Sequence, residues 1–117
     1  MSLPVLDRER LRVLSGGDVE IESELVDSLI EEADGLMIEL REHCAKRDRI
    51  AARESSHSLK GIAGSVGAIA LREAAGRLDA ELDTATFAWE RFDALVAPVV
   101  VALDDVHALQ SGATTAP

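Results

Sequence analysis

Within Ser56-His57-Ser58-Leu59-Lys60-Gly61-Ile62-Ala63-Gly64-Ser65-Val66-Gly67, His57 is the side chain whose neutral imidazole serves as a nucleophile or base near neutral pH. If the stretch is helical, at about 100° per residue, Leu59, Ile62, Ala63 and Val66 gather roughly 140° to 240° around the axis from the histidine. The apolar face therefore points away from His57. On the histidine's own side fall Gly61 at about +40°, Gly64 at about −20°, Arg53 at about −40° and Lys60 at about −60°. An imidazole so placed stands over bare backbone, and the Lys60 ammonium is within reach of an anion attached to the ring. Two glycines inside a helix cost roughly 2 kcal/mol relative to alanine, which close approach of another molecule can offset. Tight helix packing is the other use of such glycines, and it is the reading assigned to Gly35 and Gly76.

Other chemistries fit the chain less well. His43 and His107 lie toward predicted helix ends and show no metal-ligand spacing, so no metal site is expected. Glu31-Glu32 and Asp104-Asp105 are consecutive and diverge around a helix, as solvated residues do. Ser55, Ser56 and Ser58 flank His57 without a Gly-x-Ser-x-Gly elbow, and there is no glycine-rich phosphate loop for ATP. No cofactor is expected.

The elements that must position His57 are helices, marked by their punctuation. Asp7 caps a short helix that Gly16-Gly17 stops, and Asp18 caps a long one with Ile21, Leu25, Leu29, Ala33, Leu36 and Leu40 at helical spacing, ending near Lys46. Asp48 caps the His57 helix and Gly67 stops it. Leu71, Ala74, Ala75, Leu78 and Leu82 mark the next apolar face. A last helix is predicted from near Thr86, with core positions Phe92, Leu95, Val96, Val99, Leu103 and Val106 and a kink or break at Pro98. Short connections make sequential helices antiparallel neighbours, and no repeat or low-complexity linker divides the chain.

The order His57, Leu59, Lys60, Gly61, Gly67 resembles the signature of histidine phosphotransfer (Hpt) domains of multistep phosphorelays. The similarity extends from Asp7, Leu11 and Gly16-Gly17-Asp18 through the Leu71 to Leu82 pattern, leaving out only the last residues. The resemblance implies an all-α fold, an antiparallel up-down four-helix bundle with a short additional N-terminal helix, and an exposed active histidine on the second bundle helix. With no repeat or linker, a single domain over 1–117 is expected, and the small, polar composition from about 111 predicts a flexible tail. The resemblance also implies a phosphorelay intermediate rather than an enzyme: His57 would accept a phosphoryl group at Nε2 from the phospho-aspartate of a receiver domain and pass it to another receiver. The receivers would belong to a hybrid sensor kinase, a response regulator or both, and would bring the magnesium ion and the acidic residues. Lys60 would offset phosphoryl charge, Arg53, Gly61 and Gly64 would form the docking surface, and Asp79 on the next helix would orient the imidazole through its proximal nitrogen.

Two alternatives belong to other classes. A helical adaptor that docks a signalling protein without taking phosphate would not need the intact His57, Lys60 and Gly61. A dimerising kinase domain would carry an acidic residue and a proline just after the histidine, which this chain lacks.

Composition agrees with helices. Of the 117 residues 47% are hydrophobic and only 3% aromatic, so the core is built from Leu, Ile, Val and Ala. A formal net charge of −10 disfavours nucleic acid and anionic membranes as partners. Yet from Lys46 to Lys60 the chain places five of its 12 Lys and Arg (Lys46, Arg47, Arg49, Arg53, Lys60) and only two of its 22 Asp and Glu. Lys46 and Arg47 equally suit the C-terminal dipole of the preceding helix. The lone Cys44 forms no internal disulfide, the N-terminus lacks the apolar core of a signal peptide, and no apolar run spans a bilayer. A cytoplasmic, monomeric protein is expected.

Overall fold

A computed structural model describes residues 3–112. The first helix, α1 (Arg8–Ser15), begins where the Asp7 carboxylate accepts the Arg10 amide and ends at Gly16 in the left-handed conformation. The Asp18 carboxylate accepts the amides of Glu20 and Ile21 to start α2 (Val19–Ala45), and the Asp48 carboxylate accepts the Ala51 amide to start α3 (Arg49–Val66). These caps fall at the residues expected for them. Next come α4 (Ile69–Leu82), a single 3-10 turn (Trp89–Arg91) and α5 (Phe92–Ser111).

Each of α2 to α5 packs on the next and α5 returns to α2, closing an antiparallel up-down four-helix bundle with α1 as the short additional helix. Among the described residues there is no strand. The molecule is elongated, 45 × 28 × 25 Å.

Leu29, Ala33 and Leu40 of α2 are buried, joined by Leu59 and Ala63 of α3, Leu71, Ala75, Leu78 and Leu82 of α4, and Phe92, Val99 and Val106 of α5. At two of the predicted positions the stripe of α2 moves one residue toward the C-terminus. Val26 and Met37 are buried, Leu25 and Leu36 flank the core, and Ile21 is exposed. The apolar residues of α2 cover more than one face, and α3 and α5 select which part of that arc is covered.

Three further expectations are corrected. The last helix does not begin near Thr86: the chain passes through Phe87 and the 3-10 turn, and α5 starts at Phe92. Phe87 and Trp89 meet edge to face at 5.2 Å and Trp89 lies 6.0 Å from Phe92, so the chain's three aromatics are spent on this connection. Pro98 does not break α5, which runs through it from Phe92 to Ser111; it and Ala94, one turn before, lie on the exposed face where a carbonyl deprived of its donor meets water. Gly35 is not a packing glycine, because a Cβ there would meet nothing within 4 Å. The tail expected from about 111 lies outside the described residues from 113 onward; Ser111 is the last residue of α5 and Gly112 its left-handed cap.

The N-terminal segment closes over the turn that follows α3. The Asp7 amide donates to the Gly67 carbonyl at 2.7 Å and the Ala70 amide to the Pro4 carbonyl at 3.1 Å. Gly67 has φ of 87°, and a Cβ there would approach Asp7 and Arg10 to 3.0 to 3.1 Å. The glycine is required twice over, for its backbone conformation and for its contact.

Candidate functional site

On α3 the buried face is Ala52, Ser55, Ser56, Leu59 and Ala63, with Ile62 and Val66 packed at its edge. The buried Ser56 is tolerated because a hydroxyl can return its proton to the helix backbone: its Oγ donates to the Arg53 carbonyl at 2.9 Å. His57 stands on the opposite side with its side chain 67% exposed.

Its Nδ1 lies 3.0 Å from Oδ2 of Asp79, which α4 brings to the α3 seam. The Asp79 side chain is only 10% exposed. A carboxylate accepts hydrogen bonds and does not donate them, so with a neutral ring Nδ1 carries the proton and Nε2 the lone pair. Among the described residues Nε2 has no hydrogen-bond partner. The geometry yields a fixed ring, a selected tautomer and an accessible nucleophilic nitrogen.

Lys60 lies one turn beyond His57, and its stem crosses Gly76 of α4: a Cβ at Gly76 would sit 3.4 Å from Lys60 Cδ and 3.5 Å from Cε. A Cβ at Gly76 would thus make only ordinary contact with the Lys60 stem, and the tight packing expected of this glycine is not what the structure shows. Among the described residues Lys60 makes no ion pair, so its ammonium is available to an anion. Gly61 is exposed, and a Cβ there would meet nothing within 4 Å.

Gly64 differs from expectation. It does not offer open backbone to a visitor, because a Cβ there would lie 3.2 Å from Cδ and 3.3 Å from Nε of Arg72. The missing side chain makes room for an arginine of α4, a neighbour that helix periodicity within α3 cannot reveal. Nor is Arg53 a free cation on the helix surface: its Nε is 3.4 Å from Asp79 Oδ1 and 3.3 Å from Asp83 Oδ1.

The basic stretch around His57 is consequently less free than its count suggests. Arg49 Nη1 donates to the Leu82 carbonyl at 2.8 Å, capping the C-terminus of α4. Neither Arg49 nor Asp83 was singled out by helical spacing, since both act between elements. Cys44 is half-buried; burial pushes its thiol up, and the Asp93 carboxylate adds to the shift, so the thiol is neutral and poorly nucleophilic at neutral pH. Among the described residues no cluster of His, Cys, Asp and Glu is suited to hold a metal ion.

The sequence model of the Hpt domain matches residues 24–112 of this chain. The chain belongs to the Hpt domain family. As an Hpt domain it has a histidine phosphotransfer role in phosphorelays, working as a phosphoryl carrier rather than a conventional enzyme and interacting with receiver domains. A crystal structure of histidine-containing phosphotransfer protein B (HptB) from Pseudomonas aeruginosa PAO1 superposes with a TM-score of 0.82, covering 94% of each chain at 23% sequence identity. At that identity the likeness shows a shared fold. No curated protein matches the sequence. The family match begins inside α2, so α1 and the N-terminal segment that reaches Gly67 precede the matched part of this Hpt domain. No helix among the described residues is long and apolar enough to cross a membrane.

Proposed function

We propose that His57 is the phosphoacceptor of this Hpt domain, taking the phosphoryl group from the phospho-aspartate of one receiver domain and passing it to an aspartate of another. The observation that carries this reading is the 3.0 Å contact of Nδ1 with the buried Asp79, on a ring that is otherwise two-thirds exposed. With the proton on Nδ1, the Nε2 lone pair attacks phosphorus. The bond from phosphorus to the receiver's carboxylate oxygen breaks, and that oxygen leaves with the electron pair. The proton remains on Nδ1, where Asp79 offsets the positive charge the ring acquires. Onward transfer reverses these steps on a second receiver.

Lys60 offsets charge on the phosphoryl oxygens by a charge-assisted contact. Gly61 leaves a gap over which the receiver's active site closes. The magnesium ion and the acidic residues of in-line transfer come with the receiver, because this chain contributes the nucleophile and little else to the reacting centre. We place the domain on the cytoplasmic side, with its receivers.

A radiolabelled phosphoreceiver mixed with the protein tests the assignment. The wild type is expected to acquire acid-labile label, and His57→Gln none. Label retained by His57→Gln would reject His57 as acceptor. A wild type that binds the phosphoreceiver yet stays unlabelled would instead be a helical adaptor.

A further inference from the structure

Arg53 precedes His57 by one turn of α3, and Asp83 follows Asp79 by one turn of α4. The four side chains meet across the α3–α4 seam as alternating charges. Asp79 is unequally served within that set: Oδ2 faces His57 at 3.0 Å, whereas Oδ1 is buried and has no hydrogen-bond partner. A buried carboxylate oxygen without a bond is destabilising unless a cation compensates it. Among the described residues the cations within 4 Å of Asp79 are Arg53 and, when protonated, His57 itself. Arg53 lies 3.4 Å from the orphaned oxygen, and the same Nε is 3.3 Å from Asp83. One guanidinium is therefore divided between two carboxylates, and only one of them touches the imidazole.

We infer that Arg53 is a positioning residue for His57, its charge apportioned between Asp79 and Asp83 so as to set how strongly Asp79 holds the Nδ1 proton and how readily the ring takes a second one. With Arg53 against Oδ1, the negative charge beside the ring is partly offset. Without Arg53, the uncompensated Asp79 and Asp83 attract a second proton to the ring, and that proton occupies Nε2. Neutralising Asp83 has the opposite effect, because Arg53 is then left to Asp79 alone. Glu54 of α3 lines the same groove as the ring, while Lys60, one turn on, lies against Gly76 of α4 in a groove with Arg72, Glu73 and Arg77. Glu39, Glu42 and His43 of α2 line an adjoining groove with Glu54 and Ser58, and none of these is altered by the variants below.

The role of His57 in transfer comes from the reading above, but the ring's protonation is measurable without any receiver. Nitrogen-labelled protein observed by NMR, at one pH near the ordinary histidine value of about 6.5, reports the ratio of doubly to singly protonated His57. Arg53 is 44% exposed and partly screened, so Arg53→Gln is expected to raise that ratio by about threefold. Asp83→Asn is expected to lower the ratio by a similar factor, and Arg53→Lys to stay near wild type. Ring populations unchanged in Arg53→Gln and Asp83→Asn would overturn the inference. If they are unchanged while Arg53→Gln slows transfer from a phosphoreceiver, Arg53 belongs to the docking surface instead. Failure of the wild type to accept label would remove His57 as acceptor and leave this measurement standing.

Discussion

Two histidines of this chain touch a carboxylate at nearly the same distance, and they differ in what the contact leaves over. His107 meets Asp34 through Nε2 at 2.9 Å, and both side chains are more than two-fifths exposed. His57 meets Asp79 through Nδ1 at 3.0 Å, and the carboxylate is buried. An exposed pair is loosened by water and counterions, while a buried carboxylate holds its partner in one orientation. The His107 pair therefore reads as a surface link between α5 and α2, and the His57 pair as a device that fixes a ring. Asp79→Asn keeps the shape and removes the charge. It is expected to slow phosphotransfer by about 10- to 100-fold, by analogy with the loss of a group that orients a metal-ligating histidine. A transfer rate and a phosphohistidine lifetime both equal to wild type would remove Asp79 from the site.

At the scale of the element, α3 has a sharp start, a sharp stop and a bare stretch between them. Asp48 and Gly67 fix its ends, and Gly61 interrupts its surface with no neighbour to occupy the space. The two glycines should respond oppositely to alanine. Gly61→Ala enters open space in a helix and is expected to stabilise the fold by up to about 1 kcal/mol. If Gly61 receives the receiver, the same substitution slows transfer. Gly67→Ala must adopt φ of 87° and press on Asp7 and Arg10, and is expected to destabilise by more than about 1 kcal/mol. Denaturant unfolding of the two variants checks the signs, and a Gly61→Ala protein that is less stable than wild type would contradict the open space.

For the molecule as a whole, the closed ring of α2 to α5 places the apolar stripes of all four helices inward. The large apolar side chains that stay exposed, such as Val13, Val19, Ile38, Ile50 and Val101, are distributed over four helices. With a net charge of −10, copies of the chain repel one another. Sedimentation equilibrium at moderate salt is expected to return a single species near 12.5 kDa. A dimer mass would mean that one of those exposed faces pairs.

Much of this was legible in the chain itself, because helix ends and helix faces are local properties. Asp7, Asp18 and Asp48 cap because their carboxylates reach amides two or three residues ahead, and Gly16 and Gly67 stop helices because they alone take the left-handed backbone cheaply. His57 lies opposite Leu59 and Ala63 by helical periodicity alone. What lay between helices was not legible in that way. The exposure of Ile21, the start of α5 at Phe92, the Arg72 stem over Gly64 and the division of Arg53 between Asp79 and Asp83 depend on the rotation of one helix against another. Spacing along a single helix carries no record of that rotation. The sequence by itself determined which residue faces out, and the packing of α4 on α3 decided which nitrogen of that residue is left free.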